Sequence, residues 1–220
     1  MNVSVLVPYR TDHDYREKSW KWVSERWKKH FPEFEIILGD VPGPFSRTSA
    51  INDAAKKAQG EIFIIADCDT TFDSPFWLSQ SIDNLDTWAL ARTYEKLSSN
   101  FTSSLLTYET SLDKPRETEY NTDFSWSGIV VVKKEDFLSV GGFDERFTKW
   151  GEEDICFGLL MNEVSGIVTR CPGYVCHLWH PQSNAETFGH SEWPRQRELS
   201  DKYREAVGNK ELMLRVRFGG

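Results

Sequence analysis

Residues 3–66 alternate between short apolar runs and amphipathic stretches, and this alternation constrains the fold more than any other feature of the chain. Val3–Pro8 reads as a Val-rich strand. Asp14–His30 reads as a helix, with Trp20, Val23 and Trp27 on one face and Lys, Arg and Glu elsewhere. Phe34–Leu38 follows as a second strand. Ser46–Gln59 follows as a second helix that turns Ala50, Ile51, Ala54, Ala55 and Ala58 inward, and Glu61–Ala66 as a third strand. Strand and helix in strict turn require crossovers, so the expected class is α/β, a mostly parallel sheet flanked by helices on both faces. Ligands of such sheets sit beyond the carboxyl ends of the strands.

The second half is less regular. Trp88–Arg92, Leu105–Glu109, Ile129–Val132, Ile167–Arg170 and Tyr174–Leu178 read as strands, and Ser111–Phe124 as a polar loop. Glu152–Glu163 and Ser191–Val207 read as helices. Leu212–Phe218 alternates Leu214, Val216 and Phe218 with Arg215 and Arg217, so an edge strand is expected there. With 220 residues, one domain over 1–220 is the natural reading. The formal net charge of -8 argues against a general nucleic-acid binder, which neutralises phosphates with Lys and Arg. No stretch approaches the ~20 apolar residues of a membrane span. The opening strand leaves no room for a signal peptide, so a cytoplasmic location and four reduced cysteines are expected.

Four segments carry chemistry. Asp67-Cys68-Asp69 places two carboxylates two residues apart just after an apolar strand, so both can serve one centre at the sheet edge. Hard divalent cations take such oxygens and bridge to diphosphates. The plain alternative is a turn, or a cap for a helix starting near Ser74. Gly141-Gly142-Phe143-Asp144 leads into Trp150-Gly151-Glu152-Glu153-Asp154. The acids there would favour a helix start through its dipole, or one of them would take the proton of an attacking hydroxyl. The two glycines would let the backbone pass close to a sugar. In Cys176-His177-Leu178-Trp179-His180, one imidazole can complete a metal shell, and a zinc site from Cys171, Cys176, His177 and His180 is the weaker alternative. Pro8-Tyr9-Arg10 and Gly43-Pro44-Phe45-Ser46-Arg47 both follow strands. Their Arg side chains suit phosphates and their rings suit a base, while Asp40 is placed to accept from a uracil ring.

In that order these segments resemble the GT-A glycosyltransferases of the β-1,4-galactosyltransferase and related family-two type. Val5-Leu6-Val7-Pro8-Tyr9-Arg10 is similar to that family's opening strand and nucleotide loop, Phe45-Ser46-Arg47 with Asn52 to its F-N-R segment, and Asp67-Cys68-Asp69 to its D-x-D. Trp126-Ser127-Gly128 and Trp150-Gly151-Glu152-Glu153-Asp154 are similar to the segments that lead into and form its W-G-G-E-D, and His177, with His180 near, falls at its metal-binding His. The resemblance implies a UDP-sugar donor held in the half before about residue 110 and an acceptor served by the half after it. Pro8, Tyr9, Arg10, Asp40, Phe45, Arg47, Asp67, Cys68, Trp126, Gly128 and Trp150 would line the donor. It implies manganese, with magnesium as the alternative, on Asp69 and His177 or His180, with Asp67 on the ribose or the metal. Asp154 would be the base of an inverting transfer, and Glu153 a sugar contact. The acceptor hydroxyl would belong to a glycan, a protein or a hydroxylated nucleobase. Glu152 departs from the family's second Gly, no thioether ligand is evident, and the stemless form looks like small glycosyltransferases of bacteria and their phages. A retaining transferase, a nucleotidyltransferase and an inactive sugar binder are the competing classes; the last two lack, respectively, a Gly-rich loop after the first strand and a reason to keep Asp67, Asp69, Glu153 and Asp154 together.

Overall fold

The computed structural model describes residues 1–11, 13–86, 88–96, 126–178 and 190–219. The first half runs β1 (Val3–Pro8), α1 (Asp14–His30), β2 (Glu35–Gly39), α2 (Arg47–Lys57), β3 (Ile62–Ala66), β4 (Thr70–Phe72), α3 (Pro75–Asp83) and β5 (Trp88–Lys96). The second runs β6 (Ile129–Lys133), α4 (Lys134–Ser139), α5 (Glu153–Val164), β7 (Thr169–His177), α6 (Trp193–Glu205) and α7 (Lys210–Phe218). The strands form one seven-stranded sheet in the order β2-β1-β3-β6-β5-β7-β4. β2, β1, β3, β5 and β7 share one direction, while β6 and β4 oppose it. The sheet is thus mostly parallel in strand direction, with an antiparallel insertion at its centre.

Period-two alternation sends successive residues to opposite faces. Val3, Val5 and Val7, Ile62, Ile64 and Ala66, and Ile129 and Val131 enter one core beneath α1 and α3. Leu6, Phe63, Ile65, Val130 and Val132 enter a second core beneath α2 and the C-terminal helices. Each such side chain, fully buried, contributes roughly 1.5–3 kcal/mol, so both faces of the sheet are committed to helices.

Two sequence expectations change. The segment Leu212–Phe218 is helical, not an edge strand. Asn209 caps α7 by accepting from the Leu212 N–H at 3.0 Å, and Gly219 closes it in the left-handed conformation at φ 75°. Met213 is buried and Leu214 and Val216 pack against the second core, a helical face that the alternation with Arg215 and Arg217 disguised. The two short strands expected over Ile167–Leu178 form one strand, β7. The strand at Leu105–Glu109 and the loop at Ser111–Phe124 fall outside the described residues.

The site end of the sheet is set by one close approach. A Cβ on Gly39, the last residue of β2, would lie 1.8 Å from the Ala50 carbonyl oxygen and 2.9 Å from the Ala54 amide. Both are backbone atoms of α2, so no side chain can move aside. Gly39→Ala is expected to cost about 3 kcal/mol by overpacking, seen as a lower urea midpoint at unchanged slope; an unshifted midpoint would show that α2 does not ride on β2 in this way.

Candidate active site

The strand directions bring the chemical segments to one edge. β1, β2, β3 and β7 end there, at Tyr9-Arg10, Asp40, Asp67 and His177. β6 begins there, since Ile129 pairs with Ala66, and β4 begins there, since Thr70 pairs with His177. The Asp67-Cys68-Asp69 turn is fixed on both sides. The Thr70 amide and hydroxyl donate to the Asp67 carbonyl at 3.1 Å, the same hydroxyl reaches the Gly128 carbonyl at 3.3 Å, and the Leu178 amide donates to the Asp69 carbonyl at 2.7 Å. The turn does not cap the next helix. Ser74 does that, accepting from the Phe76 amide.

Arg47 stands at the centre. It opens α2, whose N-cap is Ser46, and its guanidinium reaches across the edge. Nε donates to Asp67 Oδ1 at 2.7 Å and Nη2 to Asp67 Oδ2 at 3.2 Å, while Nη1 donates to Asp154 Oδ1 at 2.7 Å. Glu153 Oε1 lies 3.9 Å from the same Nη1. Burial works against the charge on Arg47, but Asp154 and Asp67 hold its pKa well above the ordinary value. One cation therefore faces three carboxylates, and the site is left electronegative, a field that favours an added cation.

The carboxylates respond accordingly. Burial first, then the neighbouring charge of Asp154, pushes Glu153 up to about 7, with Arg47 opposing. Burial also raises Asp154, against the pull of Arg47 and with the repulsion of Asp67. Neither acts as a helix cap: α5 has no side-chain cap, Asp154 is engaged by Arg47, and Glu153 accepts from the Gly151 amide at 2.8 Å. At the end of β7, His177 Nε2 lies 3.6 Å from Asp69 Oδ1. An imidazole nitrogen and a carboxylate oxygen this close form a donor pair that suits manganese. Among the described residues no group of three or more His, Cys, Asp or Glu is placed to hold a metal. The described members of the zinc alternative, Cys171, Cys176 and His177, form no such group; Cys171 Sγ accepts from the Ser81 hydroxyl at 2.8 Å, and all four cysteines are free thiols. His180 lies outside the described residues.

Tyr9, Arg10, Asp40 and Phe45 gather around the ends of β1 and β2. Arg10 grips Asp40 in a fork, Nε to Oδ2 at 2.9 Å and Nη2 to Oδ1 at 2.6 Å, and this bonding holds the Asp40 carboxyl below its ordinary range. The Arg10 and Arg16 guanidinia lie 5.6 and 5.5 Å from the centre of the Phe45 ring. Tyr9 leans on Trp20 at 5.8 Å. Pro8 and Cys68 are buried, so their contribution to a ligand is through the backbone. Trp126 stacks on Trp88 at 6.1 Å and lies over Gly158, where a Cβ would come within 2.1 Å of its ring. Trp150 by contrast is 43% exposed. Gly141 and Gly142 face their own chain and not a sugar: a Cβ on Gly142 would be 2.4 Å from Asn52 Oδ1, and one on Gly141 3.0 Å from the Phe218 ring. Asn52 explains this, since it clasps the Phe143 backbone from α2, donating to the carbonyl and accepting from the amide at 2.9 Å each.

The sequence reading missed α6 as a part of the site. Gln196, fully buried, accepts from the Thr148 and Lys149 amides at 3.0 and 2.8 Å and donates to the Lys149 and Gly151 carbonyls. No local signal marks a Gln in a charged helix as the brace of a loop that lies more than forty positions earlier.

Residues 110–181 match the family model described as the N-terminal domain of galactosyltransferase. The catalytic domain of Drosophila beta1,4-galactosyltransferase 7, solved with xylobiose, superposes with a TM-score of 0.62 at 18% identity, over 92% of this chain and 80% of that one. This chain has a galactosyltransferase-like GT-A fold. A variant of the same Drosophila enzyme with manganese, UDP-Gal and xylobiose gives 0.55 at 17% identity, over 91% and 79%. A mannosyltransferase from Pyrobaculum calidifontis with GDP-Man and Mn2+ gives 0.51 at 14%, over 98% and 69%. A search of curated proteins returns no match. No helix among the described residues of this GT-A chain is long and apolar enough to cross a membrane.

The raised pKa of Glu153 has a direct consequence for stability. Its folded value, about 7, lies above the ordinary 4.5, so between these values the folded state holds a proton that the unfolded state has lost. Stability therefore falls as pH rises through that window, and the penalty is complete above it. Glu153→Gln is expected to raise the melting temperature over wild type at about pH 8, in chelator, with the gain vanishing near pH 4. An equal shift at both pH values would place the Glu153 carboxyl in water.

Proposed function

We propose that this protein is an inverting, manganese-dependent glycosyltransferase that moves a hexose or N-acetylhexosamine from a UDP-sugar to a hydroxyl of a glycan acceptor. One observation carries the reading: the Arg47 guanidinium joins Asp67 of the D-x-D turn to Asp154 at the start of α5. The group expected at the diphosphate and the group expected at the attacking hydroxyl are thus separated by a single side chain. The galactosyltransferase family match and the neighbours that bind Mn2+ and nucleotide-sugars support the same reading.

Asp69 and His177 would hold the metal, whose chemistry when bound is to stabilise the diphosphate leaving group as charge develops on it. The chain's own residues do the rest. Tyr9 and Phe45 offer rings beside the nucleotide base, with Arg10 keeping Asp40 ionised and oriented toward it. Arg47 is a ready phosphate ligand, being held charged at all working pH. Trp150, 43% exposed, would offer its indole to an acceptor sugar. Asp154 receives the proton of the attacking hydroxyl, and its raised pKa makes it a stronger base than a solvated Asp. Glu153, turned inward to the Gly151 amide, keeps the loop before the base in place. A carboxylate at position 154 suits direct displacement with inversion, since the base and the leaving group are served from different elements.

Three outcomes follow. Asp154→Asn, nearly isosteric, is expected to reduce turnover by about 10²–10⁴ while UDP binding with manganese persists; a fully active variant, or a product that NMR shows to retain the donor's anomeric configuration, would refute the assignment. Asp69→Ala is expected to abolish manganese-stimulated UDP release from UDP-galactose, and full wild-type activity in excess chelator would contradict the metal role. In thermal-shift titrations with manganese, UDP is expected to stabilise the protein more than GDP, and the reverse order would favour a GDP-sugar donor.

A further inference from the structure

Glu152 is the sole non-glycine residue with positive φ among the described residues, at φ 74° and ψ -18°. Side chains resist this left-handed conformation because Cβ crowds the following carbonyl. The residue immediately precedes Glu153 and Asp154, so its backbone sets the direction in which both leave. Its side chain, 7% exposed, is gripped from α6: Arg204 Nη2 at 2.5 Å, the Ser200 hydroxyl at 2.6 Å and Arg197 Nη1 at 2.9 Å all donate to it. Burial would raise its pKa, but the Ser200 hydroxyl and Arg204 lower it below the ordinary value, so the carboxylate is charged and fully used. The preceding loop is braced independently by Gln196 and by His190, whose Nε2 lies 3.0 Å from the Trp150 carbonyl.

We infer that Glu152 is a positioning residue: its ion-paired latch to Arg204, Ser200 and Arg197 of α6 holds the left-handed turn that aims Glu153 and Asp154 at Arg47. This goes deeper into the site proposed above and rests on that reading for its kinetic arm only. The latch lies partly in α6, beyond the segment that matches the galactosyltransferase family, and it replaces the conformational freedom that a glycine would supply at this position.

The distinguishing test compares two truncations. Glu152→Ala removes the latch and keeps the Cβ, so the turn relaxes; Glu152→Gly also removes the latch but adopts the turn without strain. With UDP-galactose and manganese, Glu152→Ala is expected to lower kcat by about tenfold or more, as is usual when a reacting group is misplaced, with KM for the donor unchanged. Glu152→Gly is expected to recover most of that loss. Arg204→Met is expected to behave like Glu152→Ala alone and to add nothing in the Glu152→Gly background. Backbone NMR gives the readout that needs no turnover: the Glu153 and Asp154 amide shifts should move in Glu152→Ala and return toward wild type in Glu152→Gly. Equal losses in the two variants, full activity in Glu152→Ala at temperatures where it stays folded, or unmoved amide shifts would each overturn the latch. Wild type that releases no UDP would count against the proposed donor and reaction, and the amide shifts would still decide the latch.

Discussion

The site depends on a single cation among carboxylates. Arg47 is separated from Asp154 by 107 positions, yet its guanidinium touches both that residue and Asp67. Without it, Asp67, Glu153 and Asp154 would face each other at low exposure, an arrangement whose cost runs to several kcal/mol in a partly desolvated setting. The rest of the architecture serves to place this one side chain. Gly39 lets α2 lie on the sheet, Ser46 starts the helix, and Asn52 ties it to the Phe143 backbone. The electrostatics then follow: one cation satisfies three acids incompletely, and Glu153 and Asp154 rise in pKa.

Much of this was legible in the sequence because the relevant signals are local. The apolar runs in Val3–Pro8 and Glu61–Ala66 mark strands buried on both faces, and the structure divides those residues between two cores. Asp67 and Asp69 announce themselves by following an apolar strand. What the sequence concealed is of a different kind. The Leu212–Phe218 alternation is a strand pattern locally, and it was overruled by caps at Asn209 and Gly219 and by burial of Met213. The glycines at 141 and 142 look like ligand contacts until Asn52 and Phe218 are seen to fill the space beside them. Gln196 and Arg204 carry no motif at all; their importance lies wholly in which loop they reach.

The same contrast explains why the pKa pattern could not be read in advance. A run of three acids at a helix start is favourable by the dipole alone, and nothing in the run says which is buried. The structure separates them by partner. Glu152 is turned to α6 and kept acidic, Glu153 is buried and raised to about 7, and Asp154 is held by Arg47. Three adjacent carboxyl groups thus acquire three different chemical characters from position alone.

The order of strands carries one more implication. β5, from the first half of the chain, lies between β6 and β7 of the second, and β4 pairs on the outer side of β7. A donor-binding half and an acceptor-binding half, if sequence position defines them, are interleaved like the fingers of two hands. A chimera that exchanges halves between relatives at mid-chain would have to remake the β5–β6 and β5–β7 ladders as well as the Arg47–Asp154 contact. An exchange of edge loops would leave those ladders intact, whereas an exchange of halves would break both of them.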